Sequence, residues 1–369
     1  MQLFSGSYSP DDVIFLLKPI DINPTDIVEK ERRIQSGQYH YSEMISQEYQ
    51  VSDKYLKVFY DSVNRNKQLM ALHLIQLSQL ISQDISGPIT IVSLARAGTP
   101  VGVLLKRILS TYFHKTVTHY SISIIRDRGI DANALLYILH QAHHAPESII
   151  FVDGWTGKGV IAQELKKAIM EFNALYNMHL SNRLYVLSDL CGCADISASC
   201  LDYLIPSSIL NATISGLVSR SILNSQYIEA NDFHGCVYYW QLKEADLSNW
   251  FIDAIIDEIQ RINETTAINS ITAQSISEDQ KKALQEKSKQ FIQDAMKTYG
   301  VNHIHYIKPG IGEATRVLLR RVPDQLIIQD NQIEDVQHLI VLAKEKHIPI
   351  ITDTALPYRA AALIQQISK

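Results

Sequence analysis

Cysteine is scarce in this chain, with four in 369 residues, at positions 191, 193, 200 and 236. So few thiols over that length make no disulfide framework, and a reducing, cytoplasmic setting is the expectation. Long apolar runs are also missing, so no stretch reads as a membrane span. The opening Met-Gln-Leu-Phe-Ser-Gly-Ser lacks the basic and apolar regions of a secretion signal. Neither G-x-x-x-x-G-K-[ST] nor G-x-G-x-x-G occurs, which excludes a Walker A loop and a dinucleotide fingerprint. His114, His143 and His144 are read as surface or core histidines and not as a metal site. Repeats and low-complexity tracts are absent.

What is present fits a globular enzyme, with 46% hydrophobic and 20% charged residues. The length exceeds one typical core, so two domains are expected. The net charge of −5 hides an asymmetry: residues 281–369 carry 13 Lys/Arg against 9 Asp/Glu, and the remainder carries 21 against 30. The larger part is therefore not built for general nucleic-acid binding, whereas the basic tail points weakly to RNA.

Strand and helix signals alternate. Asp53 to Gln83 repeats apolar residues at helical spacing and stops at Gly87-Pro88. Strands are expected at 89–94, 117–125, 148–152 and 183–187, separated by helices, which argues for a parallel sheet of α/β class. A polar stretch, 266–283, reads as a linker between a first domain, 1–265, and a second, 284–369. In the second domain we expect helices over 284–299, 313–321, 335–346 and 358–367, with strands at 326–329 and 348–352.

The richest segment is Ile149 to Val160, Ile-Ile-Phe-Val-Asp-Gly-Trp-Thr-Gly-Lys-Gly-Val. A buried strand ends in an acid, then a small-residue loop opens a helix. Free amides at a helix N-terminus favour an anion, and glycines let it approach. A plain strand-to-helix turn would use the same letters.

Three segments, in order, resemble the loops of type I phosphoribosyltransferases. They are Ala95-Arg96-Ala97-Gly98, Arg126-Asp127-Arg128-Gly129 and Asp153-Gly154-Trp155-Thr156-Gly157-Lys158-Gly159. The wording of the third is similar to a divergent branch found beside bacterial tellurite-resistance and stress genes, a branch often labelled cysteine protease StiP. Gly154 replaces the second acid usual in that loop, so Asp153 alone, or Glu164 reaching in, would meet the ribose hydroxyls. Gly310-Ile311-Gly312-Glu313-Ala314-Thr315-Arg316 resembles the signature turn of the Pelota-type RNA-binding fold, with Gly312 where that family has Asn.

The resemblance implies a phosphoribosyltransferase-like sheet with a hood, followed by a small Pelota-like α/β/α domain. It implies a glycosyltransferase that uses phosphoribosyl pyrophosphate, Mg2+ and a nucleobase-like acceptor in a stress or tellurite-resistance setting. Asp153, Arg126 and Arg128 would be catalytic. Arg96, Ala97, Gly98 and the loop from Gly154 through Trp155, Thr156, Gly157 and Lys158 to Gly159 would hold substrate, with Arg220 reading an acceptor or phosphate. Magnesium would ride on substrate oxygens without a set of protein ligands. Gly310, Gly312, Glu313 and Arg316 would grip structured RNA. The alternative is a non-catalytic regulator that senses phosphoribosyl pyrophosphate and binds RNA. A homodimer is compatible with either, and neither needs a membrane. The cysteines carry no protease spacing, so the sequence argues against peptide cleavage.

Overall fold

The computed structural model describes residues 3–367. Six strands form the first sheet: β1 (Ile14–Leu16), β2 (Ile89–Leu94), β3 (Val117–Ile122), β4 (Ile149–Thr156), β5 (Leu184–Asp189) and β6 (Ile196–Ser199). Their spatial order is β1-β3-β2-β4-β5-β6 and every pairing is parallel. Every residue of β2 is buried, as the apolar run Ile-Thr-Ile-Val-Ser-Leu demands of a central parallel strand.

Helices cover both faces. Helices α1 (Ile27–Gln35), α2 (Asp53–Asp84), α3 (Gly98–Tyr112), α4 (Ala132–Leu136), α5 (Val160–Tyr176) and α6 (Ser248–Thr265) belong to this unit. The buried faces of α2, α3 and α6 pack together on one side, through Phe59, Leu74, Leu104, Ile108 and Ile255. On the other side, Leu135 of α4 and Leu165 and Ile169 of α5 meet Phe151 and Val186. Each large apolar side chain so buried contributes about 1.5–3 kcal/mol. Ser52 caps α2 by accepting from the Tyr55 amide at 3.3 Å. The chain passes from β2 to β3 on one side and to β4 on the other. The crevice beyond the ends of β2 and β4 is therefore the topological switch point.

The second unit carries β7 (Ile307–Pro309), β8 (Pro323–Ile328), β9 (Ile350–Thr352) and β10 (Ala360–Ile364), in the order β7-β10-β8-β9. Helices α7 (Glu278–Thr298), α8 (Ile311–Arg320) and α9 (Gln337–Glu345) complete it. Two expectations change here. The final helix expected over 358–367 is strand β10, buried at all five residues between β7 and β8. Ala-Ala-Ala-Leu-Ile has helical propensity, but a central sheet position outweighs it. Helix α7 starts at Glu278, inside the stretch read as linker, because Ser277 and Gln280 form a capping box.

The two units share one hydrophobic core. Ile311, Ala314, Val317 and Leu318 of α8 belong to the same buried cluster as Tyr203, Leu204 and Leu74. Polar ties reinforce it. Glu31, 0% exposed, receives Nε and Nη2 of Arg321 at 2.6 and 2.7 Å. Asp202 accepts from the amides of Ile311 and Arg359 at 3.0 and 2.8 Å. Asp335 accepts from Asn66 at 2.9 Å and from Arg359 at 2.7 Å.

Removing one member of the Glu31–Arg321 pair leaves a buried charge alone. Arg321→Met should lower stability by about 3–5 kcal/mol, and Glu31→Met with Arg321→Met together by clearly less. Denaturant unfolding of both variants checks this.

Candidate functional site

The switch-point crevice is lined from both units. Arg96, Ala97, Asp153, Trp155, Arg220 and Arg316 face one cavity of about 170 Å³. A second lobe, of about 520 Å³, takes in Arg126, Thr156, Gly157, Lys158, Gly159 and Glu313. Most of the residues singled out from sequence thus meet in one place. Arg128 does not: it is half-exposed and lies 3.9 Å from Glu43. Glu164 does not reach Asp153; it accepts from the amides of Asp127 and Gly129 at 2.7 and 3.0 Å and so holds the 126–129 turn. That turn closes a short hairpin, Ile124–Ile125 against Gly129–Ile130. Arg126 lies over Tyr41, 5.1 Å from the ring centroid.

The loop after β4 is not the open phosphate cradle that its letters suggest. Thr156 turns its hydroxyl inward and donates to Asp189 at 2.5 Å. Lys158 donates to the carbonyls of Ile304 and Ile307, the second at 3.0 Å. Burial, with Lys308 nearby, pushes the Lys158 amine down to about 6, which opposes a counter-charge there at neutral pH. The space before Gly157 belongs to Glu313: a Cβ at Gly157 would fall 2.8 Å from its Cγ. The Glu313 side chain thus packs against this loop, with its carboxylate paired to Arg316 and Lys308. Asp153 is half-buried and pushed up to about 6, chiefly by desolvation, although Arg316 opposes the shift. Its Oδ1 accepts from the Gly154 amide at 2.8 Å. Among the described residues no group of three or more His, Cys, Asp or Glu is gathered for a metal.

The expected RNA-gripping turn is covered as well. Ile311, the first residue of α8, is anchored through its amide to Asp202. A Cβ at Gly312 would fall 2.5–2.7 Å from the Trp155 indole. Gly310 packs against Leu190 and Asp202. Arg316 lies over Trp155, 4.5 Å from the ring centroid, and donates to Glu313 at 2.5 Å. Gly310, Gly312, Glu313 and Arg316 thus face the first unit.

Sequence reasoning missed the loop after β5. Asp189, fully buried, accepts from the amides of Cys191, Cys193 and Ala194 at 3.3, 3.1 and 2.9 Å. The left-handed Gly192 allows the fold-back, and Gln285 of α7 donates to its carbonyl at 2.7 Å. Cys191 is buried, with Sγ 3.3 Å from Thr156 Oγ1; Cys193 is half-buried against Gly159. Cys193 Sγ lies 3.5 Å from the Cys191 carbonyl; the neighbouring Cys191 lowers the Cys193 thiol, while Cys193 and burial raise that of Cys191. The available signal was an acid ending a strand immediately before Cys-x-Cys.

With that geometry in place, the comparisons with known proteins become informative. Residues 6–256 match the family described as tellurite-like stress resistance cysteine protease StiP, and residues 286–366 match the Pelota RNA-binding domain. The chain is 43% identical to "Cysteine protease StiP" of Acinetobacter baylyi (strain ATCC 33305 / BD413 / ADP1) over 379 residues. That alignment covers 100% of this chain and 96% of the relative. The chain therefore belongs to the StiP family. No helix among the described residues is long and apolar enough to cross a membrane.

These findings overturn the transferase reading. The family and the relative carry a hydrolase name, and nothing in either points to a phosphoribosyltransferase, phosphoribosyl pyrophosphate or a nucleobase-like acceptor. The sensing alternative falls with them. The argument from spacing against a protease is corrected by the same names. In physical terms, the misleading element was the Asp153–Gly159 loop, where the Glu313 side chain packs against Gly157.

The raised Asp153 carboxyl has a defined effect on stability. Its folded value exceeds the unfolded one, so holding the charge opposes folding in full above about pH 6, and this penalty fades as pH falls from about 6 to about 4 and is absent below that. Asp153→Asn should raise the melting temperature at pH 8 and leave it near wild type at pH 4, as thermal unfolding at the two values would show.

Proposed function

We propose that this chain is a thiol-dependent peptidase of the stress response, with Cys193 as its nucleophile. The carrying observation is the loop after β5, which sets the half-buried Cys193 sulfur against Gly159 at the start of α5, with Cys191 beside it as the neighbour that lowers the Cys193 thiol and favours a thiolate. Lys166, which also pairs with Asp195 at 3.2 Å, adds positive potential. The first turn of α5 lies beside the sulfur. The names of the family and of the relative support the same chemistry.

The thiolate attacks a peptide carbonyl carbon and forms a C–S bond. The C–N bond then breaks, the amine departs with a proton taken from solvent, and water hydrolyses the thioester. No histidine among the described residues hydrogen-bonds either sulfur, so the neighbouring thiol and the helix amides replace an imidazole in activating the nucleophile. Helix α7 lies over this loop, with Lys281 donating to the Asp195 carbonyl at 2.8 Å. Peptide access therefore depends on how far α7 gives way. The match to the Pelota domain supports RNA as a further partner. Because its signature turn faces the first unit, RNA would have to engage other surfaces or loosen that contact.

Cleavage of an unstructured protein substrate, followed by mass spectrometry, tests the reading. Activity should rise with pH through the Cys193 titration. It should fall by about 100-fold or more in Cys193→Ala and survive in Cys200→Ala, whose thiol is exposed. Cleavage undiminished in Cys193→Ala, or none by wild type, would overturn it.

A further inference from the structure

A third lobe of the crevice, about 470 Å³, lies between α1, α8 and the segment 45–51. Its walls carry more positive charge than they neutralise. Lys30, Arg220 and Arg320 all line it, and none has a carboxylate in ion-pair range among the described residues. They make do with neutral acceptors. Arg220 donates to the carbonyls of Tyr41, at 2.6 Å, and of Met44. Arg320 Nε donates to Asn211 Oδ1 at 2.5 Å, and Lys30 to Ser46. Arg96 reaches Glu48 only at 4.0 Å and otherwise donates to the Val218 carbonyl at 3.1 Å. Arg316 faces the same space, with Glu313 as its partner.

Arg96 and Arg316 repel Arg320, and Arg96 and Arg321 repel Arg220, so the like charges crowd one another. Glu48 and Glu313 offset part of this charge at longer range, yet crowding half-buried guanidinium groups without paired carboxylates remains costly. Five donors on each planar fork suit phosphate oxygens. The lobe is also within the size range of small-molecule sites.

We propose that this lobe binds a small polyphosphate, free or carried on a nucleoside, held by Arg220, Arg316 and Arg320 with Lys30 at its edge. The Pelota-type helix then serves as a wall of a small-molecule site. The proposal does not rest on the thiol chemistry, and Cys193→Ala should leave binding intact.

Calorimetry and thermal unfolding of the full chain test it, with inorganic tripolyphosphate, a nucleoside triphosphate, and sulfate at matched ionic strength. Wild type should bind a polyphosphate saturably and melt higher with it, while sulfate does neither. Arg320→Gln should weaken binding by about tenfold or more. Without ligand it should be at least as stable as wild type, because a crowding charge is gone. Equal binding of tripolyphosphate and the nucleotide makes the phosphate chain the ligand; binding of the nucleotide alone makes it a nucleoside polyphosphate, and both outcomes uphold the site. Three results would overturn it: no saturable polyphosphate binding, binding unchanged in Arg320→Gln, or structured RNA binding through Arg320 while polyphosphate does not bind.

Discussion

The first turn of α8 lies directly on the indole of Trp155, with the Arg316 guanidinium 4.5 Å from the ring centroid, and the arrangement of the crevice follows from that contact. It needs two residues without side chains. Gly312 leaves room for the indole, and Gly157 leaves room for Glu313. A Cβ at either place would make the indole or the Glu313 side chain give way. The amide of Ile311 is fixed by Asp202, so the approach is set by a hydrogen bond as well as by shape.

Two consequences follow from this closeness. Glu313 and Arg316 enter a site whose other residues come from the ends of β2 and β4, and the crevice becomes a property of the whole chain. Charge also accumulates where water has been removed. Asp153 is pushed up and Lys158 down by the same desolvation, although they come from one loop. The thiol loop stands apart from this crowd. It is organised by a single buried carboxylate, Asp189, which also takes the Thr156 hydroxyl and so links the loop after β5 to the loop after β4.

Periodicity made the parallel sheet and α2 legible in the sequence, because a run such as Ile89–Leu94 and the spacing of Tyr55, Phe59 and Val63 each admit few folds. It also marked out the residues that line the crevice, since acids and glycines at strand ends collect at a switch point. It could not say what fills the crevice. The turn at Asp153–Gly159 has the composition of an anion cradle, yet its occupant is Glu313, some 150 residues away in the chain. Strand β10 was hidden by alanines whose helical preference is overruled by two antiparallel neighbours. The thiol pair was hidden because Cys-x-Cys has no fixed chemistry until a fold supplies Asp189 and the start of α5 beside it.

Hydrogen exchange at the start of α8 tests the docked arrangement most directly. The Gly310 amide donates to Ala360, Ile311 to Asp202 and Ala314 to Gly310, around the Gly312 contact with Trp155. These amides should exchange as slowly as those of β10, and Asp202→Ala should speed them without altering Ala362 to Ile364 of β10. Rapid exchange at 310–314 in the wild-type chain, as at a free helix N-terminus, would contradict the account.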